Sequence, residues 1–286
     1  MIVGGGINVF ADAPAHGEIF AGNRAVGHIA LSVKAASGAS RRGRVYEDGA
    51  LRVRFPNGAN ADTLDAVIVN TAGGMTGGDR FGIDVAVGAG ARLTVTTAAA
   101  EKVYRSPGPD TEIAVKLDVG PGGALAWLPQ ETILFDQVRL RRTIEADLAA
   151  NADLLIAEAV IFGRSAMGEE VLRGHFFDRW RVRVGGKLVF AESLRLDGAV
   201  AQKLGRAAIA GGGVAMASVL KIPGDDAAIA AIRAMASDFA GEVGVSAWNG
   251  LASARLVAVD GAALRRDLIG VLTAFGGTQL PRLWLN

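Results

Sequence analysis

The chain has 286 residues, half of them hydrophobic and 21% charged, with 39 glycines, 6% aromatics and no cysteine. That is enough apolar material for a substantial core, so a disordered chain is excluded, as are disulfides and thiolate metal sites. Thirty basic side chains against 29 acidic ones leave a net charge of +1, which gives no global field to draw nucleic acid or an anionic membrane.

Met1 to Phe10 lacks the charged start and continuous apolar core of a signal peptide. The first fifty residues are weakly patterned. Ser37 to Arg44 is small, polar and basic, and is expected to be mobile, with Arg41, Arg42 and Arg44 on a solvated face or strand edge. From Leu51 the pattern becomes strand-like: Leu51, Val53 and Phe55 alternate with Arg52 and Arg54. Asp65 to Asn70 is a short β-branched run. Gly82 to Val87 and Arg92 to Thr97 repeat the period of two, with Gly88 to Gly90 as the turn between them.

Ile113, Val115, Leu117 and Val119 form the next strand, ended by Gly120-Pro121-Gly122-Gly123. Further strands are predicted over Ala124 to Leu128, Thr132 to Phe135, Val138 to Leu148 and Asp153 to Phe162. Arg139, Arg141 and Arg142 read as a second solvated cluster. Phe176 to Val184 and Lys187 to Leu196 read as a hairpin around Gly185-Gly186. The run Ala207 to Leu220 carries little charge, but is too short and glycine-rich to span a bilayer. Short strands separated by turn residues point to an all-β sandwich, barrel or sheet stack. A parallel βαβ sheet needs helices between its strands, and no helical period intervenes.

Two helices are predicted, both late. Pro223-Gly224-Asp225 opens the first, with Ile229, Ile232, Met235 and Phe239 on one face. Asp260 caps the second, Leu264, Leu268, Leu272 and Phe275 line its stripe, and Gly276-Gly277 stops it. Between them, Val243 to Trp248 and Ala254 to Val259 read as a hairpin around Asn249-Gly250. With no linker and no exact repeat, one domain over residues 1–286 is expected.

Four segments carry distinctive residues. Thr71 to Arg80 reads T-A-G-G-M-T-G-G-D-R; no Gly-Lys-Ser/Thr and no helix follow, so it is neither a P-loop nor a dinucleotide fingerprint. Without other information it reads as a glycine turn with a solvated Asp79. Ala98 to Ser106 places Lys102, Tyr104 and Arg105 at a strand end, a polar docking surface or a charge-protected edge. In Trp127 to Ile133 a proline breaks an apolar run, so a bend is expected. Glu158 to Glu170 sets an acid in an apolar strand, followed by Arg164 and Glu169, which suits an internal ion pair or a metal-handling pair. Glu192 is another acid in apolar surroundings. His16, His28 and His175 are scattered without metal spacing, and no Gly-x-Ser-x-Gly elbow or cysteine nucleophile is present, so an enzyme is not expected. A hydrolase with buried paired carboxylates is a distant alternative.

These segments, in this order, resemble the UreD (UreH) family of urease accessory proteins: T-A-G-G-M-T-G-G-D-R, then T-T-A-A-A-E-K-V-Y-R-S, W-L-P-Q-E-T-I-L-F and G-R-S-A-M-G-E, with a terminal R-L-W at Arg282 to Trp284. The resemblance runs from about Leu51 to the C-terminus and has no counterpart for the basic stretch near Arg41. Members often carry His-Pro-Pro before the double glycine; here Asn70-Thr71-Ala72 offers no histidine. The resemblance implies a mainly β, layered or solenoid-like fold with two α-helices in the C-terminal third. It implies a non-catalytic protein that binds urease structural subunits, UreF and the GTPase UreG, and helps insert nickel; the lack of cysteine, signal peptide and membrane span adds the expectation of a cytoplasmic location. It also implies an internal route for the ion.

On that reading nickel is transient and no cofactor is held stably, since carboxylates and hydroxyls bind it more loosely than thiolates or clustered imidazoles. Asp79, Glu158, Glu169 and Glu192, with Thr96, Thr97 and Tyr104, are the candidate lining of the route. Arg80, Lys102, Arg105 and Arg164 are candidates for ion pairs or partner contacts. A pure interaction scaffold that never touches nickel is the alternative.

Overall fold

The computed structural model describes residues 24–56, 62–164, 167–276 and 280–285. Met1 to Phe10, His16, Gly277 and the Ser165-Ala166 pair of the fourth motif lie outside the described residues.

Two sheets face one another. The first is seven-stranded, in the order β14 (Lys187–Ala199), β13 (Arg173–Val184), β11 (Val138–Leu148), β8 (Thr111–Val119), β5 (Arg80–Val87), β1 (Val26–Ala36) and β2 (Ala39–Gly49). The second runs β16 (Glu242–Trp248), β17 (Leu251–Ala258), β15 (Ala215–Ile222), β12 (Asp153–Phe162), β9 (Ala124–Trp127), β6 (Arg92–Thr97), β4 (Thr63–Asn70) and β3 (Leu51–Arg54). Short β7 (Glu101–Val103) and β10 (Thr132–Leu134) extend the second sheet beside β12.

The central strands of both sheets are parallel: β1, β5, β8, β11 and β13 in the first, β4, β6, β9 and β12 in the second. No helix makes these crossovers, contrary to the expectation that parallel strands need one. From β4 to β13 the chain moves back and forth between the sheets, so a strand of one sheet is the crossover for the other. This is a β-solenoid. Gly88 to Gly90 is accordingly a corner between layers and not a turn within one sheet.

Ser37 to Arg44 was expected to be mobile; it is the turn and first half of an antiparallel β1–β2 hairpin. Ile29, Leu31 and Val33 alternate into the core and anchor β1. The charged residues of β2 face solvent on the sheet edge, which is why the pattern there looked weak. At the other end, the edge strand β16 carries a single charged residue, Glu242. Both predicted C-terminal hairpins form, with positive φ at Gly185 and Gly186 (57° and 79°) and at Asn249 and Gly250 (49° and 76°).

A third layer packs on the outer face of the second sheet. It holds α2 (Asp226–Ala234) and α3 (Gly261–Gly276), while a short α1 (Val200–Leu204), not anticipated from the sequence, follows β14. Strand β12 lies in the middle: Leu154, Ile156, Val160 and Phe162 enter the core between the sheets, and Leu155, Ala157 and Ala159 enter the core under the helices. Helix α2 ends before Met235 and Phe239, which still pack against the helix-side core. In α3 the stripe Leu264, Leu268, Leu272 and Phe275 is buried, and the Asp260 carboxylate accepts from the Ala263 amide at 2.8 Å. Asp260→Ala leaves that first-turn amide unpaired and is expected to cost about 1 kcal/mol in denaturant unfolding; no change would refute the cap.

Candidate functional site

The four distinctive segments meet at one end of the second sheet. Val103 of β7 is bridged by Met75, β7 pairs with β10 in parallel, and β10 pairs with β12. The paired glycines make this convergence possible. A Cβ on Gly74 would collide with the Tyr104 ring, and one on Gly77 with the Ser106 hydroxyl, so the second motif packs directly on the backbone of the first.

Asp79 is buried and not solvated. Its Oδ1 accepts from the Ala25 amide at 2.8 Å and its Oδ2 from the Thr76 amide at 2.7 Å, while its carbonyl accepts from Glu112 N at 2.9 Å. It therefore ties together the starts of β1, β5 and β8. Tyr104 packs edge-on against Phe135 at 4.8 Å and donates to the Gly73 carbonyl at 3.3 Å. The Arg164 guanidinium lies 4.4 Å over the Phe135 ring and its Nε donates to Glu169 at 2.6 Å, an ion pair that lies at the surface and not in the interior as expected. Lys102, Tyr104, Arg105 and the large apolar residues Met167 and Leu172 are exposed at the same corner. Arg80 pairs with Glu112 at 3.5 Å on the outer face of the first sheet.

Beneath the corner lies a buried polar network that spans the two sheets. Arg142 was read as part of a solvated cluster with Arg139 and Arg141, but it is 3% exposed. On β11, Val138, Leu140, Ile144, Ala146 and Leu148 point inward, and Arg142 falls on the same side. Arg139 and Arg141 fall on the other and pair with Asp110 at 2.9 and 3.6 Å. Arg142 Nε and Nη2 donate to the two oxygens of Asp178 at 3.1 and 2.6 Å, a fork-to-carboxylate pair between neighbouring strands of one sheet. Its Nη1 crosses the gap to Oε2 of Glu158 on the other sheet. Trp127 Nε1 donates to Glu158 Oε1 at 2.8 Å, and Trp180 Nε1 to Asp178 Oδ1 at 3.2 Å.

Burial works against the Arg142 charge, but the Asp178 and Glu158 carboxylates outweigh it and hold the guanidinium above its ordinary pKa. Burial also pushes the Glu158 carboxyl up, with Asp178 adding to the rise while Arg142 and the Trp127 N–H oppose it. Two acids thus share one base across the gap.

From Glu158 a row of polar side chains leads to the open edge of the solenoid. Ser218 of β15 is the cross-strand partner of Glu158, and Arg255 of β17 is the partner of Ser218. Glu192 reaches this row from β14 in the opposite sheet: its Oε1 lies 2.8 Å from Arg255 and accepts from Ser218 at 3.4 Å. Its Oε2 is buried without a hydrogen-bond partner. A groove of about 400 Å³ opens there, lined by Phe190, Leu194, Trp248 and Arg255 beside Glu192.

Glu158 and Glu192 are thus brought into one seam, and the other candidates lie elsewhere. Thr97 is buried, donating to the Ala99 carbonyl at 2.9 Å and accepting from Gln130 N at 2.9 Å. Thr96 points out of the opposite face of β6, into a groove of about 380 Å³ under the C-terminal segment, where its hydroxyl has no hydrogen-bond partner. Asp79 and Glu169 belong to the motif corner. Among the described residues no group of three or more histidines or acids is arranged to hold a metal ion, and no helix is long and apolar enough to cross a membrane.

The terminal R-L-W motif is held by the W-L-P-Q-E motif. Arg265 of α3 donates from Nη1 to Gln130 and Glu131 at 2.7 and 2.8 Å, and from Nη2 to the Leu283 carbonyl at 3.0 Å. Trp284 is buried and its indole donates to the Leu128 carbonyl at 3.0 Å.

The family model described as UreD urease accessory protein matches residues 25–285, so the match includes the β1–β2 hairpin that the motif resemblance left out. A urease accessory protein UreD of Rhodopseudomonas palustris strain HaA2 is 58% identical over 272 residues, covering 95% of this chain and 97% of its own. One from Bradyrhizobium diazoefficiens is 54% identical, covering 94% and 97%. The protein described here belongs to the UreD family of urease accessory proteins.

Proposed function

We propose that this protein, acting as one domain in the cytoplasm, binds apo-urease together with UreF and UreG and passes nickel toward the urease active site along the seam between its sheets. The observation that carries this reading is the polar row that runs from buried Glu158 past Ser218 and Glu192 to exposed Arg255 at the rim of the gap between the sheets. Polar side chains in such a gap are costly unless paired, and one oxygen of Glu192 is not. A single carboxylate with one unpaired oxygen and a hydroxyl neighbour holds a late first-row ion loosely, which suits transfer and not storage.

The motif corner supports a separate role in partner contact. Lys102, Tyr104 and Arg105 are exposed there, beside the Arg164–Glu169 pair and the uncovered side chains of Met167 and Leu172. An interaction scaffold that never touches nickel is the second reading, and this corner favours it.

Two substitutions separate the readings. Glu192→Ala is expected to lower nickel-dependent urease activation by roughly tenfold while the complex with urease and UreF still co-purifies. Glu169→Ala, at the corner, is expected to weaken co-purification first. Normal activation by Glu192→Ala in an intact complex would remove Glu192 from the route, and undiminished nickel flux through complexes with a blocked seam would favour the scaffold.

A further inference from the structure

We propose that Arg142 is a built-in countercation that keeps Glu158 and Asp178 from trapping the travelling metal ion, an inference that rests on the nickel-route reading. Both carboxylates turn one oxygen toward a tryptophan indole N–H and also meet on one guanidinium. Thr132 Oγ1 stands 3.5 Å from the same Nη1. Without Arg142, the carboxyl groups of Glu158 and Asp178 and the Thr132 hydroxyl would face one another in the buried gap between the sheets. Oxygen donors of that kind bind a divalent cation, and the low dielectric of a buried site strengthens their hold. An ion caught there would leave slowly.

The guanidinium removes that danger by filling the place itself. It is tethered to β11, cannot lose its proton under any physiological condition, and grips Asp178 through two parallel hydrogen bonds. Only one N–H reaches Glu158 across the gap. Arg142 is thus a positioning residue: it sets how long an ion can stay at Glu158 without itself binding the ion. At the rim, Glu192 has Arg255 on one oxygen and leaves the other open, so the seam offers a ligand at its edge and a blocked pair at its centre.

The test compares the full chain with Arg142→Gln and Arg142→Lys, using nickel(II) chloride as the probe in equilibrium dialysis and in thermal melts. Arg142→Gln is expected to bind about one equivalent of nickel per chain and to melt at a higher temperature when nickel is present. The wild-type protein and Arg142→Lys, which keep a cation between the acids, are expected to show neither effect. Adding Glu158→Gln to Arg142→Gln is expected to abolish the capture. A folded Arg142→Gln that binds no more nickel than wild type overturns the proposal. If Arg142→Gln does not fold alone, recovery on refolding with nickel supports the proposal, and failure to recover while Arg142→Lys folds normally overturns it. Urease activation separates the two claims. Capture by Arg142→Gln with reduced activation supports both; capture with unchanged activation shows that Arg142 blocks a metal site but sinks the nickel route and with it the sparing of a travelling ion, whereas absence of capture sinks the countercation and leaves the route to the Glu192 experiment.

Discussion

Replacing Arg142 by methionine is expected to lower the unfolding free energy by about 3–5 kcal/mol, because it strands Glu158 and Asp178 in the core without their common partner. Methionine fills most of the arginine's volume, so a cavity contributes little and the loss reports unpaired charge. Replacing all three residues together by apolar side chains of similar volume is expected to recover most of that stability. Urea titrations of the single and triple variants check both statements. A single variant within about 0.5 kcal/mol of wild type would mean that Arg142 is not the partner of both acids.

Trp284→Ala is expected to cost a further large amount, about 3–5 kcal/mol. The indole is 1% exposed, donates to Leu128, and lies 5.1 Å from the Arg265 guanidinium stacked over it. Its removal takes away the apolar plug and leaves a buried carbonyl unpaired. Arg265 would keep its contacts to Gln130 and Glu131 but lose the ring beneath it. The C-terminal segment should then become accessible to limited proteolysis well before the sheets unfold. A loss below about 1 kcal/mol, with no new cleavage site, would show that the R-L-W motif does not clasp the body.

Strand positions were legible because side chains alternate faces with a fixed period of two. The observed bounds of β11 and β12 coincide with the predicted runs Val138 to Leu148 and Asp153 to Phe162. Sheet membership was not legible, since nothing in the local pattern says whether the chain after a glycine corner returns to its own sheet or crosses to the other. The hairpins were readable for the opposite reason: Gly185-Gly186 and Asn249-Gly250 each dictate an immediate reversal.

The same rule of alternation held the signal for the buried network. Arg139, Arg141 and Arg142 were grouped by proximity along the chain, yet Arg142 shares the face of Leu140 and Ile144. Asp178 likewise sits in register with Phe176, Trp180 and Val182, all buried. Counting by twos identifies both as charges in a core. It cannot say that they meet, because that depends on which strands are neighbours. Glu158 and Glu192 were recognised as acids in apolar strands, but their shared seam runs through Ser218 and Arg255, whose part only the three-dimensional pairing reveals.

The two ends of the double sheet are unequal. On one side β2 presents Arg41, Arg42, Arg44, Glu47 and Asp48, and the adjoining β3 has only four residues; on the other, β14 carries Lys187, Glu192, Arg195 and Asp197, while β16 pairs only with β17 among the described residues and has almost no charge. Stacking of copies end to end would need bare strands at both margins, and β2 and β14 are charged. Only the second sheet is bare at a margin, so a strand added edge to edge would find its place beside β16.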